Sequence, residues 1–409
     1  MTTGHRSASS VPLLGVEEEF LVVDADRGVV VPEAATVVDG ARPALGVRVG
    51  GEITKFQVET RTDPCRSVDD LRAQLVEGRA AVQAAARSAG LRAIASGSPV
   101  LGCAVPPPIT EGPRQDRGTA MFRGLHDELA ICAVHVHVEE PDRDRAVLIG
   151  NHLRQHLPVF VALTANSPYW AERDTGYASW RTVTWGRWPV AGPPPFLRSA
   201  RQYDDHVAML LDAGALVDHG TIFWDLRLSI NHPTLEVRVA DVPLTAVESA
   251  ALAALVRALA IVAGEAVDRG DEGPQPTAEL MRLAYWRAAR DGMGGHGVDV
   301  ITGRLLPAAT LAERLVALAR PALDATGDRE PVESWLGWLA TNGDGATRQR
   351  AAAARRGRLT DVVDEIAART TPARDDDTGG YAPAHAGDAH AVAARTPSKR
   401  PMYEESTTA

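Results

Sequence analysis

Four short segments of the chain alternate charged residues with apolar ones, and this pattern limits the fold more than any other feature. They are "GVEEEFLVV" (15–23), "ITKFQVETRTDPC" (53–65), "ICAVHVHVEE" (131–140) and "PTLEVRVADV" (233–242). Side chains alternate across a strand, so each segment must turn one face to an apolar core and charge to the other. In the first, Glu17 and Glu19 share a face and Glu18 points the opposite way. In the second, Lys55, Gln57 and Glu59 lie opposite Thr54, Phe56 and Val58; in the third, His135 and His137 lie opposite Val134, Val136 and Val138. In the fourth, Glu236 and Arg238 lie opposite Val237 and Val239. Taken singly, such strands read as solvated faces or ion pairs. Set side by side, they form one acidic concavity containing a histidine and an arginine.

Burying an ionised carboxylate is costly unless a counter-charge or a metal receives it. Oxygen-rich ligation by Glu17, Glu19, Glu59 and Glu236 suits Mg²⁺ or Mn²⁺, hard cations that also recruit phosphate oxygens. Arg238 then supplies a fixed fork of donors for a transferring phosphoryl group. Two other readings fit parts of the pattern: a Zn²⁺ hydrolase built on the His135/His137 strand, and a non-catalytic protein that binds ATP or an amino acid.

Composition removes several classes. Lys55 is the only lysine before Lys399, which excludes a P-loop and leaves a pyridoxal enzyme a single Schiff-base candidate. A formal net charge of -10 disfavours nucleic acid and anionic membranes as partners, while small charged ligands and a homo-oligomer stay compatible. The three cysteines, Cys65, Cys103 and Cys132, have no C-x-x-C spacing and give neither a disulfide framework nor a zinc ribbon. With no signal-peptide core and no long uncharged apolar stretch, the expectation is a cytoplasmic protein.

Residues 1–10 and 371–409 are poor in branched apolar residues and read as disordered tails around one domain, 11–370. Strands are expected near 14–23, 53–61, 91–95, 131–138, 222–228 and 234–240. Ser67 with Asp70 caps a helix running to Gly90, Pro141 opens one reaching about Ala165, and Thr245 with Glu248 forms a capping box. Everything after 244 reads helical. Strands early and helices late imply an α+β fold with a largely antiparallel sheet.

Several blocks together carry a resemblance: "GVEEEFLVVD", "QVETRTDPC", "HVHV" before "PDRDRAV", "LTANSPYW", "RDTGYASWR", "WGRWP" and "TLEVRVADVPLT". From about residue 13 to 370 the chain resembles the type 2 glutamate–cysteine ligases, the YbdK-like carboxylate-amine ligases of the glutamine synthetase superfamily. The resemblance implies a curved antiparallel sheet lining the active site, with helices on its outer face. It places Glu17, Glu19, Glu59, His135 and Glu236 at Mg²⁺ ions, with His137 a further metal or nucleotide contact, and Arg238 and Glu59 in catalytic roles. The implied substrates are ATP, L-glutamate and L-cysteine or another amine, joined through a γ-glutamyl phosphate. Two positions depart from the family pattern: Glu139 and Glu140 follow "HVHV" where relatives carry glycine, and "SGSPVLG" (96–102) replaces a G-T-H-P-like turn. Both bear on the amine substrate. The segment from Asn166 to Trp188 mixes arginines with aromatics, and Arg173, Arg181 and Tyr177 are its candidates for holding a substrate carboxylate.

Overall fold

The computed structural model describes residues 11–102 and 105–371. The expected tails therefore lie, apart from Thr371, outside the described residues. The strands are β1 (Leu14–Asp24), β2 (Val49–Gly51), β3 (Gln57–Arg61), β4 (Leu91–Ile94), β5 (Ala133–Glu139), β6 (Tyr169–Trp170), β7 (Arg173–Asp174), β8 (Leu226–Leu228), β9 (Thr234–Asp241), β10 (His296–Val298) and β11 (Leu305–Pro307). Seven of them make one open sheet in the order β2-β3-β1-β5-β9-β8, with β4 on the far half of β1. Every pairing in it is antiparallel. The fold is α+β, as the segregation of strands and helices implies.

The four alternating segments are neighbours. Glu19 stands opposite Glu59 and Glu17 opposite Arg61 across β1 and β3, while Glu17 faces His135 across β1 and β5. His137 faces Glu236 across β5 and β9, and Glu236 faces Arg227 across β9 and β8. Because cross-strand partners share a face, one side of the sheet becomes a continuous charged surface. The other side carries Val16, Val134, Val136, Val138, Val237 and Val239 into the larger hydrophobic core.

Two long helices, Val68–Ser88 and Ala246–Asp268, lie against each other and against β1 on that apolar side. Both start where the sequence places them: Ser67 Oγ accepts from the Asp70 amide, and Thr245 with Glu248 closes a reciprocal capping box. The second is the one described helix long and apolar enough to cross a membrane, and 72% of its apolar window is buried inside the molecule.

Elsewhere the boundaries shift for local reasons. Residues 53–56 form a turn rather than strand, because β2 and β3 are the arms of a hairpin. The helix expected from Pro141 is two helices, Arg143–Arg154 and Leu157–Thr164, capped by Asp142 and interrupted before Pro158, whose ring cannot continue a hydrogen-bonded turn. The all-helical reading beyond 244 misses the β10–β11 hairpin.

Candidate functional site

Glu18 is the one residue of the triple-glutamate run that faces the core. It is fully buried against Arg79, whose Nε and Nη2 donate to its carboxylate at 3.0 and 2.5 Å, and Ser249 Oγ donates at 2.6 Å. A guanidinium thus receives the middle charge, and the outer two open onto the other face.

On that face, His135 Nδ1 lies 2.9 Å from Glu17 Oε2, and His137 Nε2 lies 3.7 Å from Glu17 Oε1. Burial works against ionisation of Glu17, but the imidazoles of His135 and His137 beside it outweigh burial and hold its carboxyl far below the usual range. Glu19 has the opposite balance: burial and the nearby Glu52 push it up to about 8, although Oε2 accepts the Ala133 amide at 2.8 Å. Glu59 is also raised, by burial and then by Glu52 and Glu17. Burial and the Arg238 charge lower His135 to about 4, so its ring is neutral. Its Nε2 lies 3.8 Å from Glu19 Oε1.

A register slip fixes Arg238. Val134 pairs with Ala240 but Val136 with Val237, so Arg238 and Val239 together stand opposite His135. Such a bulge re-aims a side chain, and Arg238 reaches both Glu236 and, at 3.3 Å, His135 Nδ1. Arg227 donates to Glu236 at 2.9 and 3.2 Å from the next strand. Burial opposes the Glu236 charge, yet Arg238 and Arg227 hold its carboxyl below the usual range.

The donor set fits a hard divalent cation. Glu17, Glu59 and His135, then Glu17, His137 and Glu236, then Glu19, Glu52 and Glu59, each bring ligand atoms within 4.8 Å of one another. Five carboxylates against two imidazoles favour Mg²⁺ or Mn²⁺ over the zinc of the hydrolase reading. His137 Nε2 is moreover buried without a hydrogen-bond partner among the described residues, while its Nδ1 is fixed by Thr234 Oγ1 at 2.9 Å.

The structure brings Glu17, Glu19, Glu59, His135, His137, Glu236 and Arg238 into one basin. It separates the three carboxylate-clamp candidates. Arg181 is buried, and its Nη1 and Nη2 donate to the carbonyls of Val239 and Arg238 at 3.0 and 2.9 Å, so its guanidinium braces the bulge from behind. Arg173 is exposed on β7 over the Trp180 ring, and the Tyr177 hydroxyl accepts from the Trp286 indole at 3.1 Å. The block around them is anchored by Asp241, which accepts from Asn166 N, Ser167 Oγ and Ser179 Oγ at 2.9, 2.6 and 2.8 Å. Gly97 packs so close that a Cβ would meet Asp241 Cγ at 2.8 Å, which explains the glycine in "SGS".

Sequence reasoning missed Glu52, Arg61, Asp225 and Arg227. The last two were visible in principle, since "WDLRL" alternates like the other strands. Asp225 lies beside the Arg238 backbone, its carbonyl oxygen accepting from the Arg238 amide at 2.8 Å, and burial raises its carboxyl to about 6. Arg61 follows Glu59 at strand period. Glu52 had no periodic signal, because it enters from the hairpin turn.

Residues 13–365 match the model of a family described as glutamate-cysteine ligase family 2. The chain belongs to that family. A relative from Mycobacterium sp. (strain KMS), which carries the provisional name glutamate–cysteine ligase 2-2, is 44% identical over 367 residues, covering 88% of this chain and 98% of its own. One from Nocardia farcinica, provisionally named glutamate–cysteine ligase 2-1, is 42% identical over 365 residues, covering 88% and 93%. Among solved structures, a glutamate–cysteine ligase from Francisella tularensis in complex with AMP superposes with a TM-score of 0.68 at 11% identity over 90% of both chains. A bifunctional glutathione synthetase from Pasteurella multocida gives 0.64 at 14% identity, over 88% of this chain and 52% of that one. At these identities the structural likeness speaks for the fold. The family membership makes the chain a glutamate–cysteine ligase-like carboxylate-amine ligase, an enzyme that forms a C–N bond.

Proposed function

We propose that the chain joins the γ-carboxylate of L-glutamate to the amine of L-cysteine or a related amine, at the expense of ATP, through a γ-glutamyl phosphate. The observation that carries this reading is the basin itself, in which Glu17, Glu19, Glu52, Glu59, Glu236, His135 and His137 converge beside a guanidinium fixed by a bulge. The AMP held by the Francisella tularensis ligase supports a nucleotide in a fold of this kind.

In the first step a carboxylate oxygen of glutamate forms a bond to the γ-phosphorus as the bond to the β-phosphate oxygen breaks and ADP leaves. In the second the amine nitrogen attacks the acyl carbon, inorganic phosphate departs and the nitrogen loses a proton. Glu17, Glu19, Glu52, Glu59, His135 and Glu236 would hold Mg²⁺ or Mn²⁺, with His137 at the margin. Such a cation supplies neutralisation of phosphate charge. Arg238, pinned by Glu236 and by the Asp225 carbonyl, presents donors to the transferring phosphoryl group. Arg181 keeps that strand segment in place. Arg173 and Tyr177, at the margin of the aromatic segment, are the candidates for meeting the amino-acid carboxylate. Glu59, buried opposite Glu19, shapes the cation site on which phosphoryl transfer depends.

Incubation with ATP, Mg²⁺, glutamate and a panel of amines, with products identified by mass, tests the proposal. A γ-glutamyl amide formed with ADP is expected, and lost in Glu17→Gln and Glu236→Gln. Tightly bound zinc with no consumption of ATP would contradict it.

A further inference from the structure

Arg61 already stands where a cation is wanted. Its guanidinium contacts Glu59 Oε2, and its Nε lies 3.8 Å from Glu17 Oε1. Those two carboxylates, with His135, make one of the clusters whose ligand atoms lie within 4.8 Å of one another. Strand geometry explains the position: Arg61 is the cross-strand partner of Glu17, as Glu59 is of Glu19, so all four share the charged face.

The attachment of Arg61 differs from that of the other two arginines. Arg227 also donates to the carbonyls of Gly220 and Ile222, at 3.2 and 2.7 Å, and Arg238 is enclosed by Glu236 and His135. Their side chains are 13% and 14% exposed. The Arg61 side chain is 43% exposed and, among the described residues, donates no hydrogen bond to a backbone carbonyl, whereas Glu59 beneath it is 3% exposed. Gly50, the cross-strand partner of Glu59 on β2, adds no side chain over the guanidinium; an added Cβ there would lie 3.6 Å from Arg61 Nη1. The guanidinium is therefore inserted from the rim and free to withdraw outward without moving the strand.

We propose that Arg61 is an exchangeable counter-ion, which holds Glu17 and Glu59 together in the metal-free chain and yields its place when a divalent cation enters. This rests on the reading of the basin as a divalent-cation site. A guanidinium and a divalent ion cannot share the same two carboxylates at contact distance without strong repulsion. Arg61 therefore sets the cation affinity and makes loading weaker than the carboxylates alone would allow.

The test is Mn²⁺ binding to the full chain without nucleotide, followed by the electron paramagnetic resonance of the free ion, so that turnover plays no part. Arg61→Gln and Arg61→Met, two neutral variants, are expected to bind Mn²⁺ about tenfold or more tightly than the unaltered chain, and Arg61→Lys to stay within about threefold of it, because the competing charge is kept. Equal or weaker binding by both neutral variants, with Glu59→Gln losing affinity, would overturn the role of Arg61 and leave the cation site standing. If neither the unaltered chain nor any Arg61 variant binds Mn²⁺, the site reading fails and this inference with it.

Discussion

Replacing Arg79 with methionine strands the Glu18 carboxylate in the core. Both side chains are buried, at 1% and 0% exposure. Arg79 makes two bonds to the carboxylate, and it also donates to the carbonyls of Leu244 and Pro243 at 2.7 and 3.0 Å. In Arg79→Met only Ser249 still donates to Glu18 in the helix-packed layer. Removing one partner of a buried ion pair costs about 3–5 kcal/mol. At about 2.1 cal/mol/K of unfolding entropy per residue, a chain of 409 residues loses about 1.2 °C per kcal/mol, a fall of about 4–6 °C in Tm. Differential scanning calorimetry measures it. The double variant Glu18→Leu with Arg79→Met, which leaves no charge behind, recovers part of the loss. A melting temperature of Arg79→Met within about 1 °C of the unaltered protein would refute the reasoning that divides the three glutamates between the two faces.

Three further outcomes follow from the basin. Because Glu19 is pushed up to about 8 by burial and the Glu52 charge, it carries a proton at neutral pH that an entering cation must displace. Mn²⁺ affinity rises with pH between about 6 and 8 with net proton release, measured by titration calorimetry in buffers of different ionisation enthalpy; a pH-independent affinity contradicts it. The same shift acts on the metal-free protein. The folded chain keeps at Glu19 a proton that the unfolded chain releases near the ordinary 4.5, so its contribution to stability is full below that pH and is lost as pH rises toward 8. Thermal melts in chelator are therefore lower at the alkaline end of this window, and a flat profile would refute the assignment. In Arg181→Ala the bulge loses its brace: kcat drops by about tenfold or more while KM for glutamate holds. A raised glutamate KM with unchanged kcat would instead put Arg181 on the substrate.

The charged face was legible because strand alternation is a local rule that leaves its mark in sequence. Glu17, Glu19, Glu59, His135, Glu236 and Arg238 all sit at period-two positions opposite buried valines or phenylalanine, and the sheet that unites them follows from each strand needing a covered apolar face. Glu52 was hidden, since it reaches the basin from a hairpin turn, where no periodicity marks orientation. Arg181 was read as a ligand on composition alone; its actual partners are backbone carbonyls of β9, which no residue pattern announces. The bulge that aims Arg238 is equally silent, because it is a mismatch in pairing between two strands about a hundred residues apart, as the separation of 103 between Arg238 and His135 shows. The break between the helices at 154 and 157, by contrast, was signalled by Pro158.

The central claim is that a carboxylate is activated by phosphoryl transfer in this basin. Glutamate labelled with ¹⁸O in its γ-carboxylate, incubated with ATP, Mg²⁺ and an accepted amine, tests it most directly. The mechanism places one labelled oxygen in each inorganic phosphate released, because the oxygen that attacks phosphorus leaves with it. Phosphate formed without label, alongside the amide product, would contradict the mechanism.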